Sequence, residues 1–408
     1  MKKTRLKEYA NLIARCGVNV QRGQEVIITA ELDQPEFVEM LVAECYRAGA
    51  KKVSVDWTHQ ALMRSHVRYC TEKVLGTLDD WQIQKWERQA DVLPCKIYLL
   101  SEDPDGLSGI NQKKYASAMA NRSKTIKPIR MRMENRYQWC IAAVPGKKWA
   151  KKVFPGVRTS AALEKLWDAI LLTSRVNGDA LGAWERHNAD LAAKCEYLNS
   201  LGIKELRYSS KNGTDLRVGL LSDALFMAGG ERTLGRGVYF NPNIPSEEVF
   251  TSPRRGDADG IVYSSKPLSY GGQLIENFWV RFEGGRAVEV GAEKNEEMLR
   301  EIISMDEGAA YLGEVALVPY SSPIRESGIL FYNTLFDENA ACHLALGRGF
   351  TNTLRDYDKY TEEECHEKGI NDSIVHEDSM IGTEDMDITA ILEDGREAPI
   401  FRGGNWAF

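Results

Sequence analysis

No stretch of this sequence is apolar enough for long enough to span a bilayer as a helix, so a helical membrane protein is excluded and no membrane partner is expected. Its eight cysteines, at 16, 45, 70, 95, 140, 195, 342 and 365, include no CxxC pair and no short regular spacing. The basic start, Met1-Lys2-Lys3-Thr4-Arg5-Leu6-Lys7, is followed by no apolar run, which argues against a secretory leader. The thiols are then expected to be reduced and mostly buried, and the protein cytoplasmic. Positive charge is not in excess either: 52 Lys and Arg stand against 59 Asp and Glu, a net charge of −7. Nucleic acid is thus not expected as the main partner. There is no GxxxxGK or GxGxxG loop to cradle phosphate, no repeat and no low-complexity tract.

What is present is a globular composition. The 408 residues are 43% hydrophobic and include 9 Trp and 16 Tyr, enough for two domains with substantial cores. The first half alternates helix and strand. An amphipathic helix over Leu6 to Cys16 ends at Gly17. Strands are expected at Glu25–Ala30, Lys52–Trp57, Cys95–Leu100 and Trp139–Val144. A helix from about Pro35 to Gly49 and helical segments within Leu62–Gln89 separate them. Such spacing implies an α/β domain with a mainly parallel sheet. Two longer helices, near Ser160–Val176 and Asp179–Leu201, close this half.

The second half is richer in short strands: Lys204–Ser209, Asp215–Leu220, Gly260–Ser264, Asn277–Glu283, Ala287–Ala292, Gly313–Val318 and Asp385–Glu393. Gly284-Gly285 marks a hairpin between two of them. This reads as an α+β domain with a mainly antiparallel sheet. The boundary is placed near residue 200, giving domains 1–200 and 201–408.

Only six histidines occur, at 59, 66, 187, 343, 366 and 376. In His376-Glu377-Asp378, residues two apart on an extended segment share a side, so His376 and Asp378 can bind one ion; an ordinary surface loop fits the triplet as well. His343 lies in the small apolar run Asp337–Gly347, which reads as a helix with the imidazole at its buried side, where a hydrogen-bonded core histidine is the alternative. Glu314 opens the apolar Leu312-Gly313-Glu314-Val315-Ala316-Leu317 segment and needs a partner, metal or arginine. Glu248, in Pro245-Ser246-Glu247-Glu248-Val249, also suits an exposed helix start capped by Ser246. Two imidazoles and three carboxylates suit zinc, cobalt or manganese, and do not make a thiolate structural zinc site. His59, His66, His187 and His366 lack a partner pattern and read as surface residues. Lys147-Lys148-Trp149-Ala150-Lys151-Lys152 reads as a solvated helix face, with a nucleic-acid patch as its rival.

Four motifs in order, Pro245–Thr251, Leu312–Ala316, Glu338-Asn339-Ala340-Ala341-Cys342-His343 and His376–Gly382, resemble the thermophilic metallo-aminopeptidase family of aminopeptidases T and S. Tyr9–Leu12, Asn19–Gln24 and Trp149–Pro155 resemble family segments too, so the likeness covers most of the chain. The resemblance implies metal ligands at Glu248, Glu314, His343, His376 and Asp378, with Glu248 chosen over its neighbour by motif spacing. It implies two divalent ions (Zn, Co or Mn) that activate a water against the scissile bond of peptide substrates. It also implies a homodimer whose two domains enclose a large cavity. Glu247 or Glu338 is expected as the base that moves the proton to the leaving amine. Where better-known members carry Tyr, seven residues after the first histidine, this chain has Phe350, without a hydroxyl for an oxyanion; Tyr357 or Tyr332 are the substitute donors considered. The rivals are a two-metal hydrolase of another amide or ester bond and a weakly active, peptidase-like binding protein.

Overall fold

The computed structural model describes residues 3–408, and the chain forms two compact units. The first comprises Met1–Glu185 with Gly230–Pro245, the second Arg186–Gly229 with Ser246–Phe408.

The first unit is built on a five-stranded, wholly parallel sheet. Its order is Asn243–Ile244, Trp139–Ala143, Cys95–Leu100, Glu25–Glu31, Lys52–Thr58. Alternate residues Val26, Ile28 and Ala30 of the strand Glu25–Glu31 are buried, as are Cys95, Ile97 and Leu99 of its neighbour. The helix Pro35–Ala48 starts with Pro in its first turn, where a missing N–H costs nothing. It stops at Gly49, whose φ of 113° lets its N–H reach back to the carbonyls of Cys45 and Tyr46. Phe37, Val38, Leu41 and Cys45 form its buried stripe. The edge strand Asn243–Ile244 was not foreseen, since two residues carry no period; the Ile141 N–H donates to Pro242 O at 2.7 Å and draws the segment in. The 20-residue helix Gln112–Met131 was also unforeseen: it buries only Ala118 and Ile129, so its apolar period is faint. Trp149 in the Lys147–Val153 helix is 1% exposed and belongs to the core, which leaves no aromatic there to stack on a base.

The second unit holds two large antiparallel sheets and a two-stranded ribbon of Leu268–Tyr270 with Gln273–Ile275. The larger has eight strands, in the order Arg286–Gly291, Trp279–Glu283, Pro253–Tyr263, Asp215–Leu220, Ile203–Ser209, Asp387–Leu392, Glu397–Arg402, Asn405–Trp406. Gly284 and Gly285, with φ of 54° and 80°, make the tight turn between its first two strands. The smaller runs His376–Met380, His343–Gly347, Leu312–Leu317, Val249–Thr251, Met227–Ala228. One face of this sheet sends Val249, Val315, Leu317, Leu344 and Leu346 into the main hydrophobic core. Register places Phe250, Ala316 and His343 in one row on the opposite face, and Glu314, Ala345 and Asp378 in the next. That face carries the chemistry.

The α/β and antiparallel halves are thus as the sequence implies. One segment is not: 343–347 is a strand, and only Glu338–Ala340 makes a single 3-10 turn. The small apolar residues favour helix locally, but pairing on both sides, with all five residues buried, overrides that preference. Among the described residues no helix is long and apolar enough to cross a membrane. All eight cysteines are free, and five of them are buried.

Candidate metal centre

Adjacent strands of the smaller sheet deliver the four groups that chain distance separates. His343 and Asp378 sit two residues out of direct register on paired strands, and Glu314 lies opposite Ala345 on the next. Glu248 immediately precedes the Val249–Thr251 strand and is buried, so the exposed helix start considered for it does not form. His343 Nε2 is 3.3 Å from Glu248 Oε2 and 3.9 Å from Asp378 Oδ1. His376 Nε2 is 3.1 Å from Glu314 Oε2 and 3.5 Å from the same Asp378 oxygen. Ligand atoms of Glu248, Glu314 and His343 lie within 4.8 Å of one another, and so do those of Glu314, His376 and Asp378. Two triads share one carboxylate.

Both imidazoles are oriented from behind. The carbonyl of Arg348 accepts from His376 Nδ1 at 2.7 Å, and that of Ala341 from His343 Nδ1 at 3.2 Å. A carbonyl can only accept, so each Nδ1 carries hydrogen and each Nε2 is directed at the carboxylates. The backbone permits this because two glycines give room. A Cβ on Gly313 would lie 2.3 Å from the carbonyl oxygens of Arg348 and Gly347. Gly347, at φ 104°, would meet the Val375 oxygen at 2.2 Å.

The electrostatics call for cations. Burial alone would lower the His343 pKa, but Glu248, Asp378 and Glu314 push it up to about 10. His376 is likewise raised far above the usual imidazole range, burial being outweighed by Asp378 and Glu314. Burial raises Glu314 against the pull of His376. Burial also raises Asp378, yet His376 and His343 bring it below the usual carboxylate range. Asp378 Oδ1 is buried without a hydrogen-bond partner. A buried carboxylate oxygen left so is costly, and a divalent ion would satisfy it. The five residues therefore fit a metal-binding role: mixed oxygen and nitrogen donors, with oriented imidazoles.

The remaining candidates separate. Glu338 lies against Asp378, to which its carboxyl donates when protonated; burial first, then Asp378 and Glu248, hold its pKa well above the carboxylate range. Glu247 is buried too, but its Oε2 lies 3.9 Å from His187 Nε2, and its N–H donates to Asn339 Oδ1 at 2.6 Å. His187 is therefore no surface residue: its side chain is 9% exposed and its Nε2 is 2.7 Å from Ser246 O. Its helix gave the sequence reading no partner, because the contact spans 59 residues. Asn339, fully buried, was missed as a support; besides holding Glu247 it donates to Leu335 O at 3.0 Å. Its place inside the Glu338–His343 motif was the signal. Phe350 packs on His376, ring centroids 4.9 Å apart, and Tyr357 belongs to a separate small cluster around Leu354 and Ile370.

A sheet-borne cluster of imidazoles and carboxylates of this kind fits divalent metal, and comparison with known proteins gives the class. The pattern of the thermophilic metalloprotease family (M29) matches residues 2–406, and the chain belongs to that family. It is 41% identical to aminopeptidase AmpS of Bacillus subtilis (strain 168), over 99% of this chain and 98% of that protein. Aminopeptidase T of Thermus aquaticus is 38% identical, over 98% of each. The structure of wild-type AmpT from Thermus thermophilus matches at a TM-score of 0.91 and 38% identity, with 100% of both chains covered. The family resemblance drawn from the four motifs is confirmed, and membership makes the protein a peptide hydrolase that uses divalent metal.

Proposed function

We propose that this protein is an aminopeptidase that removes N-terminal residues from peptides with two divalent ions, held by Glu248, Glu314, His343, His376 and Asp378. The observation that carries the reading is the shared carboxylate: Glu314 belongs to both ligand triads. When bound, zinc, cobalt or manganese at such a pair supplies Lewis acidity and a water that is nucleophilic near neutral pH. The chain's own groups do the rest. Arg348 O and Ala341 O fix the imidazoles, so that no reorganisation is needed on turnover. Glu338 is the proton carrier: its buried carboxyl lies against Asp378 yet belongs to neither ligand triad, which leaves it to take a proton from water and return it to the leaving amine. We prefer it to Glu247, which is engaged with His187 and Asn339. A nearby carboxylate that anchored the free α-amine of the substrate would limit cleavage to the N-terminal bond. A homodimer acting on peptides is supported by the resemblance to the family, and a cytoplasmic location without a nucleic-acid or membrane partner by the acidic balance and the free cysteines.

The test is substrate choice. Aminoacyl-p-nitroanilides should be hydrolysed and p-nitrophenyl phosphate left intact; phosphatase activity without amide cleavage would replace this reading by that of a different two-metal hydrolase. Exhaustive chelation should remove the activity and lower the Tm, and Zn, Co or Mn should restore both, because ions that bind only the folded state stabilise it. Full activity in a metal-free preparation would contradict the proposal.

Proton counting gives a further expectation. Both site histidines have folded pKa values above the ordinary one, so in metal-free protein at pH 7 they carry protons that a divalent ion must displace. Titrating metal into weakly buffered apoprotein should therefore release acid. Affinity should fall as the pH is lowered.

A further inference from the structure

Two aromatic side chains on the chemical face remain without a task in the scheme above. Phe350 and Phe250 pack edge to face, with ring centroids 5.6 Å apart, and Phe350 also lies on the ring of His376. Both are only half-buried. Register explains Phe250: it pairs with Ala316, which pairs with His343, so its ring emerges in the same row as a site imidazole. Phe350 is fixed by its backbone. Its N–H donates to Ser252 Oγ at 2.8 Å, and its carbonyl accepts from Thr353 Oγ1 at 2.6 Å. Ser252 and Thr353 are themselves fully buried. A rigid, partly open apolar surface therefore borders an otherwise charged site.

We propose that Phe250 and Phe350 form the wall that receives the side chain of the substrate's first residue, and that they select apolar residues there. This rests on the aminopeptidase reading. In such a reaction the α-amine and the scissile carbonyl flank one Cα at the ions. The side chain on that Cα must then fall close to a ligand such as His376. Beyond the amine the substrate ends, so a fixed wall fits that side. On the other side of the bond the peptide continues and needs an open path. Half-buried rings lose water when an apolar side chain covers them, and they gain nothing from a charged one that must stay hydrated.

The experiment compares Phe250→Ala, Phe350→Ala and the bulk-preserving Phe350→Leu in the full-length, metal-loaded protein. Leucyl- and phenylalanyl-p-nitroanilides are set against the alanyl compound, and leucyl dipeptides vary the second residue. The ratio of kcat/KM for leucyl over alanyl substrate should fall about tenfold in each alanine variant, as expected for lost methylene contacts in an apolar pocket. Phe350→Leu should retain most of it, and preference for the second residue should not move. A leucyl to alanyl ratio within about twofold of the parent's in both alanine variants would overturn the proposal. So would a change confined to the second residue. If the unaltered protein cleaves no aminoacyl substrate, the aminopeptidase reading fails first and takes this one with it.

Discussion

Asp378→Ala is expected to strip the protein of its metal and to leave no measurable hydrolysis of leucyl-p-nitroanilide. Asp378 Oδ1 lies between the two imidazoles, 3.9 Å from His343 Nε2 and 3.5 Å from His376 Nε2. Removing even a support behind a metal ligand typically costs 10–100-fold in affinity, so losing a ligand from the centre should cost more than about 100-fold. Without the carboxylate the two imidazoles also lose a charge that favours their protonated form, which should depress both pKa values in metal-free protein. His376→Ala should behave similarly, for it deletes the Glu314 partner at 3.1 Å. Metal per chain by plasma emission and turnover on the same sample decide the matter. An Asp378→Ala protein with two ions and parental activity would refute the site.

Gly313→Ala should injure fold and site together. A single methyl there meets two carbonyl oxygens at 2.3 Å, and one of them, on Arg348, is the acceptor that orients His376. Gly313 also lies at the irregularity in pairing between Leu312 and Glu314, so the strain enters the chain immediately before a site carboxylate. Overpacking of this severity costs about 1–3 kcal/mol, and misplacing an oriented imidazole should weaken metal binding about 10–100-fold. Gly285→Ala is the control. Its Cβ would lie 2.2 Å from Gly256 Cα, at φ 80°, but in the hairpin of the larger sheet. It should lower the Tm without changing metal content. If Gly313→Ala matches the parent in both Tm and metal content, the glycine has no such role.

The sequence discloses the two halves through different signals, and it misleads where a signal is short or contested. The expected strands Cys95–Leu100 and Asp215–Leu220 match the observed ones without adjustment. His376 and Asp378 do share a side of an extended strand, as their spacing implies. By contrast, the run around His343 is rich in small residues that suit a helix; only two flanking strands, 27 and more residues away in the chain, make it extended. Family motifs locate Glu248 without indicating that it is buried or that Glu247 turns toward His187. The Arg348 carbonyl that orients His376 has no signature in the sequence, since any residue supplies a carbonyl.

The path of the backbone has one more implication, for dissection and for inheritance. The chain passes from one unit to the other three times, after Glu185, Gly229 and Pro245, so no single cut frees either. Its last passage follows the strand Asn243–Ile244, an edge of the parallel sheet, and Glu248 comes three residues after Pro245. A fragment starting at residue 201 would carry that strand without the neighbour it hydrogen-bonds. The two halves are bound to be inherited, expressed and engineered as one piece.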